Sequence, residues 1–318
     1  MTLLLVVQGA GDNWAPEPWR QRFASRLAGH RVLLWPALPD DPASVRYAAV
    51  WKPPQGLLGT FPKLEVIFNL GAGVDALLQD PTLPDRPLVR VANADLTKRM
   101  TEYVTLHVLL HHRRQRALDA AQRLGQWMPK DQWAAAAVRV GIMGLGELGR
   151  DAAEVLLRIG FRVNGWSRSP RTVPGVTCFS GSDGLAAFLG QTDILVALLP
   201  LTPDTRAILD RRLFAGLARD GVLGAPVVIN AGRGGLQNEA DMLAALDDGT
   251  LGAVTLDVFA TEPLPAGHPF WSHPKVTVTP HNAADSDPDA ISDYVVAQIR
   301  AYEQGAGLRN VVDRGRGY

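Results

Sequence analysis

The chain has 318 residues, of which 47% are hydrophobic and 20% are charged, and its formal net charge is zero. This composition is typical of a globular protein that is long enough for two domains. The neutral balance and the lack of a long basic stripe argue against nucleic acid as a partner. A small-molecule partner fits better.

The N-terminus and the single cysteine bear on the compartment. The apolar run at 3–7 is too short to span a membrane and follows no basic residue, which predicts a buried strand rather than a signal peptide. Cys178 alone excludes an internal disulfide and suits a reducing compartment. We interpret it as a small apolar side chain near a strand at 176–179, not as a reactive thiol. We expect a cytoplasmic protein without a membrane partner.

Residues 2–92 repeat a strand-then-helix pattern, which predicts a small α/β unit with its own core. The predicted strands are 3–7, 32–35, 48–51, 64–69 and 88–91, and a helix is predicted at 19–27.

Two turns in this unit follow predicted strands, where ligands of such units gather. One contains Trp51, and the other is Gly71-Ala72-Gly73, directly before a predicted helix. Backbone N–H groups of the second turn suit a carboxylate. The alternative is a helix-entry turn that binds no ligand.

A long amphipathic pattern at 98–124 predicts a helix that links two domains. His107 and His111 lie four residues apart in it, as zinc ligands can, but no HExxH arrangement or third ligand accompanies them. We therefore predict no metal site. Residues 125–133 are interpreted as a connector or as an arm that contacts a second subunit.

The sequence VRVGIMGLGELG at 138–149 is the strongest local signal in the chain. An alternating apolar run leads into a GxGxxG turn and then into a helical pattern, as a dinucleotide-binding turn requires. The pyrophosphate would lie at the N-terminus of that helix. The residues of this predicted cofactor turn are Gly144, Leu145, Gly146, Glu147, Leu148 and Gly149.

After the glycine turn the strand-helix pattern resumes and predicts a doubly wound sheet of six parallel strands. Strands after the first are expected at 161–166, 193–198, 227–230, 253–256 and 276–279, and helices at 182–189, 210–218 and 239–247. A last helix is expected at 285–303 and could fold back on the first domain.

The second strand of this sheet bears on the choice of cofactor. An NAD site usually has an acid about 20 residues after the glycines, but the segment at 164–171 contains none. Ser167, Arg168, Ser169 and Arg171 instead offer hydroxyls and guanidinium groups that suit a 2′-phosphate. We predict a preference for NADP(H), with NAD(H) as a second cofactor. The alternative is a solvated basic loop.

Three later segments, each after a predicted strand, carry Arg233, Glu262 and His281. Because parallel strands end at the same edge, these residues should converge where the cofactor lies. His281 can protonate a carbonyl oxygen as hydride arrives, and Glu262 can orient the imidazole. Arg233 can bind a substrate carboxylate or polarise the carbonyl. Each alone could have a structural role. Together they predict a hydride-transfer site.

These motifs resemble the D-isomer-specific 2-hydroxyacid dehydrogenase family and, within it, the glyoxylate/hydroxypyruvate reductase A branch. The resemblance covers nearly the whole chain. It rests on the segments GAGVD at 71–75, GLGELG at 144–149, WSRS at 166–169, LPLT at 199–202, NAGRG at 230–234, DVF at 257–259, EP at 262–263 and TPH at 279–281.

The resemblance implies a homodimer of two-domain subunits with the active site in the cleft between domains, and Arg233, Glu262 and His281 as the catalytic set. We expect a flavodoxin-like substrate domain at 1–99 that the segment 285–318 rejoins, and a Rossmann domain at 100–284. Further residues with implied roles are Ala72 and Gly73 at the substrate carboxylate, Trp51 along the substrate pocket, Leu199, Pro200 and Ala231 at the cofactor, and Asp257 near its carboxamide.

Two departures from the family pattern affect local detail. The segment 219–226 is longer than the usual short turn, and the residues at 282–285 replace a turn of small residues that is followed by Thr in many members. Both leave His281 in place.

The sequence thus predicts NADPH-dependent reduction of small 2-oxo acids such as glyoxylate or hydroxypyruvate. One alternative keeps the same residues for a bulkier 2-oxo acid. The other is a non-catalytic dinucleotide sensor on the same fold, which would tolerate loss of the catalytic set.

Overall fold

The computed structural model describes residues 1–9, 12–285 and 287–317. The chain divides into two compact units, one formed by residues 1–96 with 286–318 and the other by residues 97–285. Among the described residues, no helix is both long enough and apolar enough to cross a membrane.

The elements of regular structure alternate along the chain, with short 3₁₀ turns between some of them. The strands are β1 (Thr2–Val7), β2 (Arg31–Leu34), β3 (Val45–Trp51), β4 (Val66–Asn69), β5 (Leu88–Arg90), β6 (Arg139–Met143), β7 (Arg162–Ser167), β8 (Thr177–Ser180), β9 (Ile194–Ala197), β10 (Val227–Asn230), β11 (Ala253–Leu256) and β12 (Val276–Val278). The helices are α1 (Pro16–Arg26), α2 (Asp75–Leu78), α3 (Ala94–His112), α4 (Gln115–Arg123), α5 (Glu147–Ile159), α6 (Gly181–Leu189), α7 (Arg211–Gly216), α8 (Glu239–Asp247) and α9 (Pro288–Glu303).

The first unit is built on a parallel five-stranded sheet in the order β2-β1-β3-β4-β5. This is the flavodoxin-like order. Both faces of the sheet are covered, since alternate residues of β1 enter two separate apolar clusters. One cluster joins Leu3 and Leu5 to Trp19 and Phe23 of α1 and to Ile291 and Val295 of α9.

The second unit is a doubly wound sheet in the order β12-β11-β10-β9-β6-β7-β8, with all neighbouring strands parallel. The six strands β6 to β11 lie in the Rossmann order, and β12 extends the sheet beside β11. This confirms the predicted fold class. Because every strand runs the same way, their carboxyl ends form one edge. The glycine turn and the segments with Arg233, Glu262 and His281 all follow strands at that edge.

The predicted count of six strands in this sheet was wrong, because β8 adds a seventh at the edge. This strand has four residues, Thr-Cys-Phe-Ser, and pairs on one side only, with β7. A strand was expected at 176–179, beside Cys178, but it was not counted in the sheet, because a short edge strand carries little sign of its pairing partner.

The single helix predicted at 98–124 was also wrong, because α3 ends at His112 and α4 begins at Gln115. Arg114 between them adopts a left-handed backbone, with φ of 56°. Its guanidinium lies 4.0 Å from the centre of the Trp133 ring, and Arg116 donates to Thr277 Oγ1 at 2.6 Å. These tertiary contacts accompany the break, and the helical periodicity alone does not contain them.

The last helix, expected at 285–303, begins at Pro288. Asp287 is its N-cap and accepts a hydrogen bond from the Asp289 N–H. Ser286, within the expected helix, lies outside the described residues.

Candidate active site

The glycine turn between β6 and α5 has the backbone geometry of a dinucleotide site. Gly144 has a φ of +108°, and a Cβ there would lie 2.8 Å from the Leu198 carbonyl oxygen. A Cβ on Gly149 would lie 1.9 Å from the Gly144 carbonyl oxygen, so the helix packs directly on the turn. A Cβ on Gly146, the N-cap of α5, would meet nothing within 4 Å. The turn therefore fits a pyrophosphate at the start of α5.

The end of β7 carries the side chains predicted to select the cofactor. Ser167 Oγ donates to the Ser169 carbonyl at 2.8 Å, which closes a small turn. Arg168, Ser169 and Arg171 are exposed. Trp166 anchors the strand end below them, because its indole N–H donates to the Gly181 carbonyl at 2.9 Å.

The backbone after β9 lies between the glycine turn and the turn that carries Arg233. A Cβ on Gly232 would lie 2.8 Å from the Leu199 carbonyl oxygen. Leu199 and Ala231 are buried, and the Pro200 carbonyl accepts the Thr205 hydroxyl at 2.7 Å. The predicted cofactor residues of these two loops thus belong to one packed edge.

Arg233 sits on a turn held by a buried amide pair. Asn230, at the end of β10, donates from Nδ2 to the Arg233 carbonyl at 3.0 Å and accepts the Gly232 N–H at 3.1 Å. The same Nδ2 donates to Gln237 Oε1 at 2.9 Å, and Gln237 Nε2 donates to the Val258 carbonyl at 3.1 Å. The Arg233 turn is therefore tied to the segment that follows β11.

Glu262 and His281 form a direct pair. His281 Nδ1 lies 2.7 Å from Glu262 Oε2, and Glu262 Oε1 accepts the Phe259 N–H at 3.0 Å. The two side chains are 44% and 29% exposed, so the imidazole is held on one side and open on the other. With Nδ1–H donating to the carboxylate, Nε2 is the nitrogen that can exchange a proton with a substrate.

Asp257, the first residue after β11, is 1% exposed, and its carboxylate holds the turn that carries His281. Oδ1 accepts the Asn282 N–H and Oδ2 accepts the Ala283 N–H, both at 3.0 Å. Burial raises the pKa of Asp257, while the hydrogen bonds to its carboxylate oppose that rise.

The predicted substrate residues of the first unit lie at the carboxyl edge of its own sheet. Trp51 ends β3, stacks on Trp14 at 4.7 Å between ring centres, and covers Gly71, where a Cβ would lie 2.3 Å from the indole. The Asn69 amide donates to the carbonyls of Gly71 and Gly73 at 2.8 Å each.

The turn at Ala72 and Gly73 directly precedes the short helix α2. Within the part of the chain that the structure describes, the N–H groups of Ala72 and Gly73 donate to no backbone carbonyl. Because α2 has only four residues, its helix dipole contributes little at this turn.

The histidines of α3 have no metal-site arrangement around them. Across residues 1–9, 12–285 and 287–317, no group of three or more His, Cys, Asp and Glu side chains could hold a metal ion. His111 Nε2 lies 2.8 Å from the Thr255 hydroxyl, and the His107 ring packs on the Tyr103 ring at 4.2 Å.

The sequence predictions missed the side chains whose hydrogen bonds hold the turns of Arg233 and His281 in place. These are Tyr103, Thr279, Asn230 and Gln237. Asn230 and Thr279 lie within the quoted motifs but received no role of their own. A signal was available for Asn230, because a polar residue ends an otherwise apolar strand.

The chain is similar to known proteins of one family. A family model described as "D-isomer specific 2-hydroxyacid dehydrogenase, NAD binding domain" matches residues 105–283. A protein of Serratia proteamaculans named Glyoxylate/hydroxypyruvate reductase A is 42% identical over 95% of this chain and 96% of its own length. A protein of Yersinia enterocolitica with the same name is also 42% identical, over 94% and 96%.

Solved structures match over the full length. The NADPH-dependent glyoxylate/hydroxypyruvate reductase of Sinorhizobium meliloti, in complex with NADP and sulfate, has a TM-score of 0.94 and 47% identity and covers 100% of both chains. A probable 2-hydroxyacid dehydrogenase of Rhizobium etli, in complex with NADP, HEPES and L(+)-tartaric acid, has a TM-score of 0.93 and 43% identity over 99% of both chains. The chain belongs to the D-isomer specific 2-hydroxyacid dehydrogenase family, in its glyoxylate/hydroxypyruvate reductase A branch.

Proposed function

We propose that this protein uses NADPH to reduce small 2-oxo acids, glyoxylate and hydroxypyruvate, to 2-hydroxy acids. The observation that carries this proposal is the His281–Glu262 pair, whose imidazole Nδ1 and carboxylate Oε2 are 2.7 Å apart. It lies at the same sheet edge as a glycine turn that fits a dinucleotide. The names of the Serratia and Sinorhizobium relatives support the choice of glyoxylate and hydroxypyruvate as substrates, and the name of the Sinorhizobium protein supports NADPH as the cofactor.

The cofactor site is assigned to the turn at 144–149 together with the end of β7. NADPH, when bound, supplies the hydride that adds to the carbonyl carbon of the 2-oxo acid. The glycine turn and the start of α5 bind the pyrophosphate through backbone N–H groups. Arg168, with Ser167, Ser169 and Arg171, binds the 2′-phosphate, since this segment carries no acid that would repel it.

His281 is assigned as the general acid. Its Nε2 gives a proton to the carbonyl oxygen, so that the oxygen becomes the hydroxyl of the product. Glu262 accepts Nδ1–H and keeps the ring in one tautomer and orientation. Arg233 binds the substrate carboxylate, for which a guanidinium provides two parallel donors.

Substrate binding by the first unit is assigned to Trp51, Ala72 and Gly73. The N–H groups of Ala72 and Gly73 suit a carboxylate, and the Trp51 ring, fixed by Trp14 and Gly71, gives an apolar wall. These residues favour a short molecule over one with a long side chain.

We also propose that the protein is a homodimer and is located in the cytoplasm. Leu124, Trp127 and Met128 are 70%, 97% and 37% exposed, and they lie on or directly before the segment 125–133, which was predicted as a connector or as a subunit-contact arm. Burial of this apolar surface would stabilise a dimer. The single cysteine suits a reducing compartment.

A substrate panel tests the proposed specificity. Catalytic efficiency should be higher with glyoxylate or hydroxypyruvate than with a bulky 2-oxo acid such as phenylpyruvate. The reverse order would favour the bulkier-substrate alternative, and no turnover with any 2-oxo acid would favour the sensor.

A further inference from the structure

The turn that carries His281 adopts a conformation that needs support. His281 has a φ of 54°, in the left-handed region that a residue with a side chain rarely occupies. The backbone N–H of His281 donates to the Asp257 carbonyl at 2.8 Å, and the next two N–H groups donate to the Asp257 carboxylate. Asp257 therefore holds three consecutive residues of the turn.

The Asp257 carboxylate needs an anchor that is independent of this turn. Asn282 and Ala283 each donate to a different oxygen, so the carboxylate and the turn could shift together without loss of either bond. A third donor comes from the sheet side of the turn: Thr279, whose N–H donates to the Leu256 carbonyl at 3.0 Å, donates from Oγ1 to Asp257 Oδ1 at 2.6 Å. Thr279 directly follows β12, so its hydroxyl fixes the carboxylate against the sheet.

Tyr103 of α3 completes this arrangement. Its hydroxyl lies 2.8 Å from Thr279 Oγ1. Thr279 has one hydroxyl hydrogen, which it gives to the carboxylate, so Tyr103 must be the donor in the other bond. Burial raises the pKa of the Tyr103 phenol, which keeps it protonated. Tyr103 therefore donates a hydrogen bond to Thr279, and Thr279 donates one to the Asp257 carboxylate.

We propose that Tyr103 and Thr279 are positioning residues for the reaction, which fix the His281 turn by anchoring the Asp257 carboxylate. Neither touches the reacting atoms. Tyr103 is 9% exposed, and its ring packs on His107, so the hydroxyl has a fixed position. Thr279 accepts from Tyr103 while it donates to Asp257, and each bond polarises the next. This inference rests on the proposed role of His281.

Three single variants and one double variant test the inference. Thr279→Val keeps the side-chain shape and removes the hydroxyl, Thr279→Ser keeps the hydroxyl, and Tyr103→Phe keeps the ring. The first should lower kcat with glyoxylate about tenfold, with KM changed less than about twofold. Thr279→Ser should keep kcat within about twofold, and Tyr103→Phe should lower it about threefold. Tyr103→Phe/Thr279→Val should be no slower than Thr279→Val, because the Tyr103 bond is already lost.

Amide hydrogen exchange supplies a readout that does not depend on the substrate. Peptides that cover residues 279–285 should exchange faster in Thr279→Val than in the wild type, and Thr279→Ser should restore protection. Bound NADPH, measured by fluorescence, checks that each variant is folded. If the wild type does not reduce glyoxylate, the proposed function is wrong, and the exchange measurement still tests the anchor.

Three results would overturn the inference. The first is that peptides covering residues 279–285 exchange at the wild-type rate in Thr279→Val. The second is that these peptides exchange at equal rates in Thr279→Ser and Thr279→Val. The third is that the fold loss of kcat in the double variant equals the product of the two single losses.

Discussion

The Nδ1 atom of His281 lies 2.7 Å from Oε2 of Glu262, across a separation of 19 residues in the chain. Both carboxylate oxygens of Glu262 accept a hydrogen bond, one from this imidazole and one from the Phe259 N–H. The pair follows neighbouring strands, β11 and β12, whose carboxyl ends lie side by side. The Glu262 carboxylate thus orients the His281 imidazole, and the Phe259 N–H in turn holds that carboxylate in place.

Glu262→Gln should lower kcat about tenfold to a hundredfold. The amide has one acceptor oxygen where the carboxylate has two, so one of the two bonds must be lost or reversed. Steady-state kinetics with NADPH and glyoxylate measure the change. Glu154→Gln, on the exposed face of α5, is the control and should keep wild-type kcat. An unchanged kcat in Glu262→Gln would remove the orienting role.

Arg168→Ala should lower the ratio of catalytic efficiencies with NADPH and NADH by about tenfold or more, because a guanidinium–phosphate bond is lost. The control is Arg162→Ala, which also removes an exposed arginine but at the amino end of β7, whereas Arg168 follows its carboxyl end. That variant should keep the wild-type ratio. A wild-type enzyme that favours NADH would contradict the assignment of the 2′-phosphate site.

Two glycine variants separate folding from cofactor binding. Gly149→Ala places a Cβ 1.9 Å from a backbone oxygen and should destabilise the protein by at least about 2 kcal/mol. Gly146→Ala meets nothing within 4 Å and should leave stability unchanged within about 0.5 kcal/mol. It should weaken NADPH binding about tenfold or more, because the methyl group fills the approach to the pyrophosphate. Urea unfolding and NADPH titration give the two quantities.

If Gly146→Ala bound NADPH as tightly as the wild type, the turn at 144–149 would not be the pyrophosphate site.

The buried His107 makes stability depend on pH. Burial lowers its pKa to about 4 from an ordinary value of 6.5, so the unfolded chain binds this proton more readily than the folded protein does. Above about pH 6.5 the side chain is neutral in both states, so it does not change the free energy of unfolding. As the pH drops from 6.5 towards 4, protonation of the unfolded chain lowers that free energy. Between pH 6.5 and 5 the loss from this residue should be about 1.5 kcal/mol.

The measurement is urea unfolding of wild type and His107→Leu at several pH values. The variant should lose less stability on acidification. Equal slopes for the two proteins would show that His107 does not titrate in this way.

The sequence was most informative where chemistry lies in short contiguous motifs beside apolar strands. The glycine turn, the segment after β7 and the residues after β10, β11 and β12 could be placed at one edge, since parallel strands end together. Long-range contacts could not be predicted. Tyr103 and Thr279 are 176 residues apart, and neither residue type signals the other.

The break between α3 and α4 was not predicted, because it too accompanies a tertiary contact. Arg114 belongs to a strongly amphipathic pattern, and its left-handed backbone accompanies a contact with Trp133, which lies on a later segment. The strand expected at 176–179 is present as β8, but its pairing with β7 at the edge of the sheet could not be predicted from its four residues.

The role of His281 as the general acid is tested by the rate of NADPH oxidation with glyoxylate, compared between the wild type, His281→Ala and His273→Ala. His273 also pairs with a carboxylate, Asp247, but it precedes β12 at the opposite edge of the sheet. We expect rapid turnover by the wild type and His273→Ala, and a loss of about 10²- to 10⁴-fold in kcat for His281→Ala with NADPH still bound. Wild-type turnover in His281→Ala, or no glyoxylate-dependent oxidation of NADPH by the wild type, would contradict it.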